Sequence, residues 1–98
     1  MKIDVRGAVT SATNYFQSLQ DMISPQLQDL RLEEVELSED KKYWLITLGF
    51  ERPVVQPKNS LNSLLEASPP AYKYEREYKL FKIDSETGEV QSMKIRDL

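Results

Sequence analysis

The chain has 98 residues, enough for one domain near the lower end of the sizes that hold a core by packing alone. It contains neither cysteine nor histidine, which excludes disulfides, thiolate metal sites, a cysteine nucleophile, and the commonest general base and near-neutral pH switch. Thirteen basic and sixteen acidic residues give a net charge of -3. Residues 1–40 carry eight acids against three bases, residues 41–71 four bases against two acids, and the last third six of each. With no basic stripe, no nucleic-acid partner is expected, and nothing implies a cofactor. No apolar run approaches the roughly 20 residues of a membrane span, and Asp4 and Arg6 interrupt the opening segment where a secretion signal would be apolar. The expectation is a soluble, cytoplasmic chain without a membrane partner.

In chain order, Val5, Ala8, Val9, Ala12, Phe16, Leu19 and Ile23 recur at steps of three and four, which predicts one amphipathic helix over Val5 to Ile23. Asp4 is placed to cap its first turn and Ser24-Pro25 to end it, unless Pro25 opens one further turn through Leu27. Leu32 to Leu37 alternates, with Val35 and Leu37 on one face, Glu34 and Glu36 on the other, and Glu33 opposed to Glu34. After a polar break at Ser38 to Lys42, Tyr43 to Glu51 is the strongest strand. Trp44, Ile46, Leu48 and Phe50 share one face; Tyr43, Leu45, Thr47 and Gly49 share the other.

Residues 53 to 71, with Pro53, Pro57, Pro69 and Pro70, form the one long connection, in which Asn59 or Ser60 is placed to cap a short helix through Ala67. Tyr72 to Ile83 is a third strand whose phase changes. Tyr72, Tyr74, Tyr78 and Leu80 share one parity and Phe81 and Ile83 the other, so either both faces are partly covered or a bulge near Leu80 turns the strand over. Asp84 to Gly88 reads as a turn with Gly88 left-handed, and Glu89 to Arg96 as the fourth strand, with Met93 and Ile95 on one side. The sum is an α+β fold: one N-terminal helix packed on a four-stranded antiparallel sheet made of two hairpins.

The helix-then-meander order, with Val35-Glu36-Leu37 opening the first hairpin and Phe81-Lys82-Ile83-Asp84-Ser85-Glu86-Thr87-Gly88-Glu89-Val90 closing the second, resembles PepSY-like domains of the cystatin-like kind. In that family a strand ending in Val-or-Ile-Asp, an Asp-x-x-Thr-Gly-Glu-Val turn and a returning strand close the module. The resemblance implies a small non-enzymatic module that modulates peptidases or binds a partner protein, and it transfers no catalytic residue. The chain departs from the family in its long connection and in showing no export signal.

If the helix covers the Trp44 face, Tyr43 and Leu45 are left on the open side, where Tyr72, Tyr74 and Tyr78, interleaved with Arg76, join them. These six residues are the candidate partner-binding surface, since tyrosine rings add contact area while ordering few torsions. The alternative is that the 53–71 connection folds over this face and the tyrosines only cover it. The acidic run Glu33, Glu34, Glu36, Glu39 and Asp40 is expected to be a solvated strand edge and hairpin tip rather than a cation or acid/base site. Asp84-x-Glu86-x-Gly88 has its glycine one position early for a calcium loop and reads as a plain turn. A competing function is a ligand-binding or enzymatic cup between helix and sheet, with Asp84 and Glu51 the only carboxylates to consider. Homodimerisation through a strand edge is compatible with the interaction module.

Overall fold

The computed structural model describes residues 2–23, 27–55 and 72–97. Its elements are α1 (Val5–Ser18), α2 (Gln20–Ile23), β1 (Gln28–Leu37), β2 (Tyr43–Val55), β3 (Tyr72–Asp84) and β4 (Val90–Ile95). The strands lie in the order β1-β2-β3-β4, each antiparallel to its neighbour, and α1 lies across one face, as an α+β fold requires. The helix expected near residues 59–67 and the covering role of the connection lie outside the described residues.

The start of α1 follows from Asp4, whose extended backbone aims its carboxylate at the Gly7 amide, 2.8 Å away. Ala8, Ala12 and Phe16 form the buried stripe, with Val9 and Ile23 flanking it. Two alanines let the helix approach the sheet, and Phe16 fills the gap beyond them. Its ring lies 4.8 Å from that of Phe50 and stands edge-on to Phe81 at 6.3 Å. Ile46, Leu48 and Ile83 complete the core. Trp44 lies on this face and its indole N–H donates to the Ile3 carbonyl at 2.9 Å, which holds the entry to α1 against the sheet.

The helix is shorter than the apolar spacing predicts. The Ser18 hydroxyl donates back to the Tyr15 carbonyl at 2.7 Å and the Leu19 amide to that of Phe16 at 3.1 Å. Such back-bonding bends a helix, and α-geometry stops at Leu19 before resuming for one turn as α2.

β1 begins at Gln28, four residues earlier than its alternation suggests, because register shifts against β2 hide the pattern. Leu30 and Leu32 have even parity, Val35 and Leu37 odd; the extra residue between Leu32 and Glu34 keeps Leu30 and Val35 both on the core. β2 runs on through Pro53 to Val55. Proline is tolerated there because the last β1 pairing is at Glu51, beyond which β2 is an edge. The phase change in β3 is resolved without a bulge near Leu80, since its register with β2 is unbroken from Tyr43↔Asp84 to Val55↔Tyr72. Tyr74, Tyr78 and Leu80 therefore face away from α1, while Phe81 and Ile83 face it. The irregularity is in β4, between the pairings Lys82↔Ser92 and Ile83↔Val90.

The turn after β3 ties three segments together. The Asp84 carboxylate accepts from the amides of Glu86 and Thr87 at 2.8 and 3.0 Å, and Gly88 takes the left-handed φ of 79° that returns the chain. Ser85 is fully buried. Its hydroxyl donates to the Lys41 carbonyl and its amide to that of Lys42, while its carbonyl accepts from the amides of Lys2 and Ile3.

The core arrangement sets an expected outcome. Phe16→Ala should lower unfolding free energy by about 3–5 kcal/mol in urea titrations, since the ring is buried against two others. Met22→Ala, at a side chain 80% exposed, should stay within about 0.5 kcal/mol of the parent.

Candidate functional site: the open face of the sheet

The strand registers place residues in rows across the face that α1 does not cover. One row is Glu36, Leu45, Lys82 and Ser92; the next is Glu34, Thr47, Leu80 and Lys94. Farther along β2 and β3 come Gly49 with Tyr78, Glu51 with Arg76, and Pro53 with Tyr74. β1 thus presents a column of carboxylates and the β3–β4 side a column of cations, with apolar side chains between.

Two arginines cross this face. Arg76 of β3 reaches over β2 to Asp29 at 3.1 Å and Glu33 at 2.9 Å on β1, with Glu51 at 3.8 Å. Gly49 makes the crossing possible: a Cβ there would sit 2.8 Å from Glu33 Cγ and Oε1, so any side chain would displace Glu33. The hydrogen bond from Glu33, with the field of Asp29 and Glu51, raises the Arg76 pKa. Asp29 is held below the usual carboxylate range, first by its bond from Arg31 and further by Arg76.

Arg96, just past β4, donates its backbone amide to the Tyr78 carbonyl and sends its guanidinium across two strands. There it meets the Thr47 hydroxyl at 2.8 Å and the Glu34 carboxylate at 3.0 Å. Thr47 is fully buried beneath it. These contacts correct two expectations. Glu33 lies on the same face as Glu34, because the register shift re-aims it, and the acidic run is not simply solvated: Glu33 and Glu34 are paired to arginines. At the hairpin tip the Asp40 carboxylate accepts from the Ser38 hydroxyl and the Lys42 amide, which lower its pKa.

The Arg96 crossing divides the candidate residues. On the hairpin-tip side Tyr43 and Leu45 are half-buried and, with Leu80, Lys82 and Lys94, line a shallow groove of about 490 Å³. The Lys82 ammonium sits 4.1 Å above the Tyr43 ring, a cation–π contact. On the other side Tyr74 is 44% exposed, and Tyr78 lines a groove of about 310 Å³ with Arg76, Ile95 and Arg96. Arg76 faces the same way but is engaged by its carboxylates. Tyr72 has its backbone paired with Val55, and its side chain lies outside the described residues.

Sequence reasoning missed Lys82, Lys94 and Arg96 as members of this face. The first two share parity with Leu80 and could have been found once the fourth strand was registered. Arg96 had no local signal, since it acts through its length across two strands.

The carboxylates considered for an enzymatic cup are placed differently. Asp84 lines a groove of about 540 Å³ between the hairpin tips, but its pKa is lowered by the Thr87 and Glu86 amides, the opposite of a proton-transferring acid. Glu51 contacts Arg76. Space between α1 and the sheet is filled by Phe16, Ile46, Leu48, Phe50 and Phe81, leaving a cleft of about 220 Å³ at its edge. Among the described residues no group of three or more acids is arranged to hold a metal, and no helix is long and apolar enough to cross a membrane. Comparison with protein-family models, curated proteins and solved structures finds no match.

The turn bonds at Asp84 give a pH dependence with a definite sign. Its folded pKa lies below the unfolded value, so its stabilisation is present above the unfolded pKa, about 3.9, and is lost as pH falls through the folded pKa. Carboxyl NMR should place the Asp84 midpoint below that ordinary value. Asp84→Ala should be less stable than the parent at pH 7, with the gap narrowing below about pH 4 in urea unfolding.

Proposed function

We propose that this protein is a small non-enzymatic interaction module that engages a protein partner through the open face of its sheet. The observation that carries this is the position of Tyr43, Leu45, Tyr74, Tyr78 and Leu80 on the face opposite α1, where no described element packs over them. Rings and aliphatic chains set beside ion pairs are a common make-up of a contact surface. The ion pairs of Arg76 and Arg96 brace the face from strand to strand, so little ordering is left for the moment of binding. Similarity of Phe81–Val90 to the closing hairpin of PepSY-like modules supports a modulator role, with a peptidase as one partner class.

The test is alanine at both Tyr74 and Tyr78. A tagged chain that captures its partner from native lysate should lose about tenfold or more in affinity with the double variant, while thermal unfolding stays cooperative. Undiminished capture by a correctly folded double variant contradicts the proposal.

A further inference from the structure

The open face is complementary to itself. Its β1 column carries Glu34 and Glu36, its β3–β4 side carries Lys82 and Lys94, and Leu45 and Leu80 lie between. We infer that the occupant of this face is a second copy of the chain, stacked sheet against sheet about a two-fold axis parallel to the strands. This rests on the interaction-module reading and names its partner.

Charge selects that axis. A two-fold axis lying between the sheets and along the strands sets β1 of each copy over β4 of the other, so the row of Glu34, Thr47, Leu80 and Lys94 meets its own reverse. The β1 carboxylates of each copy then lie over the β4 side of the other, with Glu36 one row along from Lys94, and Leu80 lies against the Arg96 side chain that covers Thr47. An axis across the strands would stack β1 on β1 and lysine on lysine, which like-charge repulsion disfavours. Glu34 is already paired with Arg96, whereas Glu36 and Lys94, in adjacent rows, are exposed and have no ion-pair partner among the described residues, so these two are available to each other across the interface.

Edge-to-edge association is the weaker route to a dimer. The β1 ladder is interrupted by two register shifts, which twist an edge away from pairing, and β4 spans only six residues. The face, by contrast, measures roughly 15 by 34 Å from strand spacing and rise along β2 from Tyr43 to Pro53. A footprint of that order belongs to a weak, concentration-dependent dimer rather than an obligate one.

Sedimentation of the purified full chain and of charge-reversal variants tests the inference. The parent should be a reversible dimer with a dissociation constant of order micromolar, weakened by added salt. Glu36→Lys and Lys94→Glu should each weaken it about tenfold or more, because the symmetry repeats each contact. The variant carrying both should recover to within about threefold of the parent, which a purely structural defect would not do. Circular dichroism checks that each variant folds.

A chain that stays monomeric at several hundred micromolar overturns the inference, whether residues 56–71 or an unrelated protein takes the face. So does a dimer indifferent to both reversals, which would point to a strand edge. The two proposals fail separately: a monomer whose heterologous partner is lost on alanine substitution of Tyr74 and Tyr78 discards the second copy and keeps the interaction module. A monomer that keeps its partner despite those substitutions discards both.

Discussion

Everything in this molecule depends on which side of the sheet the Phe16 ring is pressed against. It meets Phe50 and Phe81, neighbouring strands' residues on the face that also displays Ile46, Leu48 and Ile83. Because side chains alternate along a strand, that single contact assigns every other residue of β2 and β3 to the outside. Two local devices hold the choice in place. Trp44 bonds the carbonyl of Ile3 ahead of α1, and buried Ser85 gathers the amides of Lys2 and Ile3 with the carbonyl of Lys41. The entry to the helix is therefore fixed to both hairpin tips before the apolar stripe begins.

The outer face is neither an ordinary solvated surface nor a bare apolar one. Long side chains lie flat on it: Arg96 buries Thr47 on its way to Glu34, and Glu33 passes over Gly49 to reach Arg76. Each of these pairs is partly exposed, so its net stabilisation is small, of order 1 kcal/mol or less. Their larger effect is geometric. They couple β1 to β3 and to the segment after β4, and they leave apolar side chains at both ends of a charge-ordered surface. The acids beside it, Asp29, Asp40 and Asp84, are held as stable carboxylates by amides, a hydroxyl and arginines.

Much of the architecture was legible because it is written in period. Steps of three and four placed α1, and strict alternation in β2 separated Trp44 from Tyr43 and hence core from surface. What escaped was whatever breaks a period. The break at Leu19 comes from the Ser18 hydroxyl bonding back to Tyr15, which an apolar count does not register. The start of β1 was hidden by a register shift that moves Leu30 and Leu32 out of phase with Val35 and Leu37. Glu33 was assigned to the wrong face for the same reason. The tyrosines of β3 were placed on the open side by parity alone, and the unbroken register confirms that side for Tyr74 and Tyr78. Arg96 was illegible, because its partners belong to strands 49 and 62 residues away.

The most direct test of the central claim is the pattern of nuclear Overhauser effects from the Phe16 ring. Strong cross-peaks to the rings of Phe50 and Phe81, with none to Leu45 or Leu80, are the predicted result. Cross-peaks from Phe16 or Leu19 to Tyr43 and Leu45, with Trp44 in water, would show that the helix lies on the other side of the sheet.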